Sequence, residues 1–443
     1  MSALNTDLYE LTMAAGYFLA GKTNEVATFE LSVRRLPSTR NFLLAAGLAQ
    51  AVEYLRSLHF EADEIEYLRS LAHFANAPPE FFDYLSKLRF SGDLFALPEG
   101  TPAFANEPLA IVRAPIIEAQ LIETYLIATF SFQTAVASKA ARCVIAANGK
   151  PVIEFGSRRA HSPHAALLAA RAAYIGGCAG SSNTESGKKF GIPVSGTAAH
   201  SWTMSFGDER EAFVTLQELL GENTVFLLDT YDTIDAARLT AEIGKPVWGV
   251  RLDSGDLVAL SKEVRRILDA GGLHSAKIFA SNDLDEYRLR ELLNAGAPID
   301  AFGVGTKLAT SEDAPSLSAV YKMVEIKRGG RVHYTAKFND EKNTRPGAKQ
   351  VYRLADHDIL ALQNECSPDF GNQPLVRPIL LDGDLLEPLP TAAIAHANAE
   401  RSVAALPAEL RDLEKPVPYR VEVSAKLHEL TEQLRENVHV VRS

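Results

Sequence analysis

His200 stands in SGTAAHSW, a stretch of small residues after an apolar run, where side-chain bulk is kept out. Asp229 ends the next apolar run, in VFLLDTYD. It can accept from one ring nitrogen and leave the other nucleophilic, although a satisfied structural histidine is the plainer alternative. GVRLDSGDL supplies Arg251, Asp253 and Asp256. Carboxylates flanking a Ser-Gly turn suit ribose hydroxyls, or a hydrated Mg²⁺ that prefers one or two carboxylates plus substrate phosphates. Asp253 or Ser254 can equally cap the helix that begins at VALSKEV. FGVGTKL offers Gly303, Gly305, Thr306 and Lys307. Amides in such a turn can cradle a phosphate, with Lys307 adding charge, and a tight strand-to-helix turn explains the same letters. Phe155 and Tyr9 can stack on an aromatic ring or simply fill a core. Together these residues predict a phosphate-, ribose- and Mg²⁺-binding site served by a histidine.

The elements that must position them alternate. PVIEFGS, PVSGTAAHSW, NTVFLLDTYDT, KPVWGVRLDSGDL, SAKIFASNDL and IDAFGVGTKLAT are short apolar runs, separated by helical stretches such as SPHAALLAARAAYIG and VALSKEVRRILDAGG. Strands apolar over four to six residues are covered on both faces, and alternation with helices predicts a parallel sheet. Gly221, Gly244, Gly271 and Gly296 sit where left-handed helix caps would fall. Polar residues follow almost every strand: Arg158, His200, Asp229, Asp253, Asn282, Gly305 and Thr306. An open sheet would leave its outer strand ends too far from one switch point, whereas a barrel turns all of them to one mouth. The fold class predicted is therefore α/β, an irregular parallel α/β barrel with a second, discontinuous mixed α+β domain. Residues 1–112 form an N-terminal mixed segment, 113–330 the barrel, and 331–443 a segment packing back on the first.

Composition bounds the rest. The chain has 443 residues, 47% hydrophobic and 23% charged, with a net charge of −11. These values suit a folded globular protein and exclude disordered and fibrous classes. An acidic chain is a poor general binder of nucleic acid or anionic membrane, so an anionic ligand needs a local positive pocket, from Arg158, Arg159, Arg251, Lys307 and Lys139. Cys143, Cys178 and Cys366 are too few and scattered for a disulfide framework or a metal site. With no secretory pattern in MSALNTDLYE and no membrane-length apolar run, a cytoplasmic location is expected.

Read in order, TDLYELTMAAGYF, EFGSRRAH, SGTAAHSW, LLDTYDT, GVRLDSGD, FASNDLDE, FGVGTKLATSEDAPSLSAVYK and KNTRPGAKQVYR resemble the nicotinate phosphoribosyltransferase family from residue 5 to about 355. The resemblance implies a dimer with shared active sites. It also implies the conversion of nicotinate, phosphoribosyl pyrophosphate, ATP and water to nicotinate mononucleotide, pyrophosphate, ADP and phosphate. It implies that His200 is transiently phosphorylated; with the chemistry read above, His200, Asp229 and Asp253 are the catalytic candidates, and Mg²⁺ is expected mainly through substrate phosphates. Gly303, Gly305 and Thr306 match the phosphate loop, and Arg251, Asp253 and Asp256 the ribose and pyrophosphate region. Asn282 falls in FASNDLDE as a further substrate-binding candidate. Phe155 and Arg158 match the pyridine pocket, and Asp7 and Tyr9 residues supplied across the dimer interface. Nicotinamide phosphoribosyltransferases resemble the chain at many of the same positions, but they carry an aspartate where this chain reads Asn183, in AGSSNTES. A non-catalytic relative would be expected to have lost polar strand-end residues, and none is missing.

Overall fold

A computed structural model describes residues 2–338, 344–370 and 373–442. Lys342 and Asn343, which open the KNTRPGAKQVYR match, lie outside the described residues. Two sheets carry the structure. In the first, seven strands pair antiparallel in the order Arg331–Tyr334, Ala319–Arg328, Val26–Val33, Pro108–Pro115, Asp93–Ala96, Arg377–Leu381 and Asp384–Leu385. Strands from both ends of the chain meet here, as a discontinuous mixed domain requires. VATFELSV is buried along almost its whole length, and Phe29 stacks on Tyr321 with ring centroids 4.7 Å apart.

The second sheet is parallel, in the order Gly180–Ser181, Val152–Glu154, Ala301–Val304, Lys277–Ala280, Gly249–Leu252 and Val225–Leu227. Helices including Pro163–Ile175, Thr233–Ile243, Leu257–Ala270 and Glu286–Asn294 cover it. Among the described residues no ladder joins the two edge strands. The chain between them makes one parallel bridge, Ser181 to Val194, and then a short helix, His200–Met204. The strand expected in PVSGTAAHSW thus shrinks to a single bridge, because Ser195 to Ala199 offer almost no apolar surface for burial on two faces. The six-stranded parallel sheet thus does not close into a barrel among the described residues; the gap between its edge strands is a seam, and His200 lies in the chain that crosses it.

Each sheet has its own apolar core, and the long helix Glu123–Ala146 serves both. Leu126 and Phe130 pack in the first core, Val136, Ala137 and Ala140 in the second. Three of the four predicted cap glycines have positive φ; Gly271 does not (φ −84°), and Gly272 takes the left-handed position at 81°. Gly271 is small for another reason: a Cβ there would stand 2.5 Å from that of Ala241. No helix among the described residues is long and apolar enough to cross a membrane.

Candidate active site

Parallel strands put their C-terminal ends on one side, and here those ends surround one cavity of about 470 Å³. Phe155, Ser182, Asp253, Ser281 and Gly305 each directly follow a strand of the sheet, and all five line it. Arg251 is the hub. Its Nη2 pairs with Asp253 Oδ1 at 2.7 Å, Nε donates to Ser281 Oγ at 2.8 Å, and Nη1 donates to Thr197 Oγ1 at 2.8 Å. The guanidinium also lies 5.5 Å from the centre of the Phe155 ring. Ser281 donates to the same Asp253 oxygen, so Oδ1 is doubly held while Oδ2 faces His200 Nε2 at 3.8 Å. His200 Nδ1 meets Thr230 Oγ1 at 3.2 Å.

The expected Asp229–His200 contact is absent. Asp229 accepts from Ser254 Oγ at 2.5 Å and from the Asp253 amide at 3.2 Å, and its other oxygen is buried without a hydrogen bond. Its strand neighbours Gly249–Leu252, so the carboxylate reaches sideways into the Asp253–Ser254 turn rather than across the seam. Asp253 and Thr230 flank the histidine instead. Arg158 and Arg159 edge the cavity, exposed, on the turn after Phe155. Asn282 lines it in the left-handed region, φ 91°. Gly303 and Thr306 also line it. A Cβ on Gly303 would stand 2.8 Å from both the Phe155 and Phe279 rings, so ring packing alone demands glycine there.

Profiles of the nicotinate phosphoribosyltransferase (NAPRTase) N-terminal domain, family and C-terminal domain match residues 4–131, 151–339 and 363–431. The chain is 43% identical over 437 residues to nicotinate phosphoribosyltransferase pncB2 of Mycobacterium tuberculosis, covering 96% of this chain and 92% of that one. It is 39% identical over 393 residues to nicotinate phosphoribosyltransferase of Bacillus subtilis, covering 85% and 79%. The crystal structure of human nicotinic acid phosphoribosyltransferase superposes with a TM-score of 0.84 at 32% identity, covering 97% of this chain and 99% of that one. The chain belongs to the nicotinate phosphoribosyltransferase family.

Several residues expected at this family's site face elsewhere. Asp256 caps the helix Leu257–Ala270, accepting from the Val258 and Ala259 amides at 3.0 and 3.1 Å, and it is absent from the cavity lining. The cap expected at Asp253 or Ser254 is therefore displaced, leaving Asp253 for the cavity. Asn183 caps Thr184–Phe190 through the Ser186 amide (2.8 Å) and donates to Ser157 Oγ (3.2 Å), so Ser182 faces the cavity in its place. Lys307 turns away to Asp285, at 2.8 Å. Lys139 is buried on the long helix against Glu286 and Asp313, at 2.6 and 3.1 Å. Asp7 accepts from Thr124 Oγ1 at 3.1 Å and Tyr9 is exposed; neither lines this chain's cavity.

Sequence reasoning missed Thr197, Thr230 and Ser281. Ser281 directly follows a strand, the rule that found Asp253, and only the preference for ionisable types passed it over. Glu154 was missed too. It is buried beneath Phe155 and accepts from Ser181 Oγ at 2.6 Å and from the Gly156 amide. Burial pushes its carboxyl upward against those two hydrogen bonds.

Proposed function

We propose that the chain transfers the phosphoribosyl group of phosphoribosyl pyrophosphate to nicotinate, releasing pyrophosphate, with ATP hydrolysed through a phosphorylated His200. The observation that carries this reading is the convergence of His200, Asp253, Arg251, Arg158 and Phe155 on one cavity. Cleaving the pyrophosphate from the sugar leaves an oxocarbenium-like carbon beside a polyanion, so the site needs fixed cations and a fixed carboxylate together. Arg158 and Arg159 supply exposed positive charge at the mouth, while Arg251 is held in place by three partners. Phe155 offers a face for a pyridine ring, with the Arg251 guanidinium on its other contacts.

With Nδ1 donating to Thr230, the Nε2 lone pair of His200 is free to attack the γ-phosphorus of ATP; ADP leaves, and water later returns the histidine and phosphate. Asp253 beside Nε2 positions the ring and stabilises its positive form. Among the described residues no three His, Cys, Asp or Glu side chains converge on a metal site. Mg²⁺ arriving with substrate phosphates needs only one or two protein carboxylates, and Asp253 Oδ2 fits that need. Bound there, the ion would neutralise phosphate charge. Ser182, a neutral hydroxyl where a carboxylate would repel nicotinate, supports an acid rather than an amide as the base.

The exposed apolar side chains Leu8, Tyr9 and Met13, on one short stretch of the first helix, support a homodimer in which this face meets the partner. Turnover of radiolabelled nicotinate with and without ATP tests the whole reading. The expected result is nicotinate mononucleotide, formed faster with ATP, and a preference over nicotinamide of at least ~100-fold, the effect of one mispaired buried polar group. In His200→Asn, ATP hydrolysis and acid-labile labelling should vanish while slow transfer from phosphoribosyl pyrophosphate persists. Equal use of nicotinamide, or stoichiometric labelling of the variant, overturns the corresponding half.

A further inference from the structure

A second cavity, of about 570 Å³, shares no lining residue with the catalytic one. It is built almost wholly by the part of the chain after residue 360, within the stretch that the C-terminal-domain profile matches. The strand Arg377–Leu381, the segment 386–390 and the helix Ala392–Ala404 form its walls, against Leu48, Pro98 and Glu99. Pro98, Pro378, Pro388 and Pro390 stiffen these walls, so the cavity is formed in advance of any ligand. Its volume lies within the ~300–1,000 Å³ that small-molecule sites occupy.

The lining is amphipathic in a specific way. Leu386 and Ile394 are left 47% and 56% exposed at its edge, above the buried Leu48. Arg401, three residues after Asn398 and seven after Ile394, shares their face of the helix. Among the described residues, the side chains of Arg377 and Arg401 take no ion pair or hydrogen bond, although the chain as a whole is acidic. The carboxylates nearby do not cancel them. Glu99 is already held by both Arg171 Nη atoms, at 2.8 and 2.6 Å, and by the Gly47 amide at 2.7 Å. That leaves two arginines against Glu387, one net positive charge beside apolar surface.

We propose that this cavity binds a small organic anion, a carboxylate on an apolar body of about ten carbons, with the carboxylate on Arg377 and Arg401 and the body against Leu48, Leu386 and Ile394. Guanidinium groups match a planar carboxylate in geometry as well as charge. Glu99 forms part of the wall and also anchors Arg171 in the helix that follows Arg158, so an occupant would touch the same ion pair that fixes this helix.

Isothermal titration of the full chain with decanoate tests the site, with decylammonium as the cation of matched length. The expected result is saturable binding of one decanoate per chain, undisturbed by saturating pyrophosphate and at least ~10-fold tighter than decylammonium. Arg377→Ala/Arg401→Ala should weaken it by at least ~10-fold with unchanged turnover of the phosphoribosyl reaction, and Ile394→Asp should weaken it independently. No saturable decanoate binding up to about 1 mM, equal binding of decylammonium, or displacement by pyrophosphate would each overturn the proposal.

Discussion

Three hydrogen-bond partners meet on the guanidinium of Arg251, and a lysine ammonium cannot fork to reach Asp253, Ser281 and Thr197 together. Arg251→Lys should therefore lower kcat/KM by ~100-fold, about 2–3 kcal/mol for polar groups left unpaired, with little change in thermal midpoint. Steady-state kinetics beside a melting curve checks this; a large loss of stability with kinetics intact would show that Arg251 acts as a structural bolt only. Glu10 gives a pH prediction. It is fully buried, and burial, opposed by hydrogen bonds from Thr124 and Thr6, raises its carboxyl from 4.5 to about 7. The folded state thus holds a proton that the unfolded chain releases, so the stabilisation is present at low pH and is lost as pH rises from 4.5 to 7. Between pH 5 and 8, Glu10→Gln should gain about 2–3 kcal/mol relative to the native chain in urea unfolding. A difference that stays constant with pH would refute the assignment.

Behind the catalytic cavity, elements are joined by buried charge. The long helix places Lys139 and Arg142 against Glu286, with Lys139 also on Asp313, which pairs in turn with Arg40 from the N-terminal part. Lys139→Met should destabilise the protein by about 3–5 kcal/mol, since Glu286 and Asp313 each lose a cation inside the fold. Denaturant unfolding measures it; a change under ~0.5 kcal/mol would mean that the remaining arginines suffice. This network also marks where the sequence stops being legible. Five of the six parallel strands could be read, because an apolar run bounded by turns is a local signal; the edge strand Gly180–Ser181, only two small residues long, carries no such run. The direction of a lysine is not local. Lys139 and Lys307 have the right charge for a polyanion site, but their partners, Glu286 and Asp285, lie 147 and 22 residues away in sequence. Asp253 and Asp256 illustrate the same limit within four residues. Either could cap the helix, and only the packed turn decides that Asp256 does. The contact expected from Asp229 fails likewise, since which strands are neighbours, and where the ring opens, is a property of the whole sheet.

At the scale of the whole molecule, the first helix is the informative piece. Tyr9 is exposed at 46%, outside this chain's cavity, and an exposed aromatic beside Leu8 and Met13 is expected to meet a partner surface. A two-fold interface would give two equivalent sites, each combining one chain's Tyr9 with the other chain's His200. Tyr9→Ala and His200→Ala homodimers should each be poor. An equal mixture, unfolded and refolded together, should recover about a quarter of native activity, because half the dimers are mixed and each has one intact site. Activity equal to the mean of the two variants would sink the shared-site arrangement.

The seam has a further consequence for this molecule in time. The four inner strands of the parallel sheet are held by ladders on both sides, but among the described residues the stretch from Ser195 to Ala199 has a single backbone bond to the sheet, Ser195 N to Ser181 O at 3.0 Å. Its remaining tie to the sheet is side-chain, Thr197 to Arg251. Breaking these few bonds exposes little apolar surface, so the stretch opens at a far lower free energy than the sheet. Its amides should exchange with deuterium well before those of Lys277–Ala280, and pyrophosphate, by fixing Arg251, should slow them selectively. His200, which opens the helix directly after this stretch, would then be carried by a segment able to yield while the six-stranded sheet stays intact.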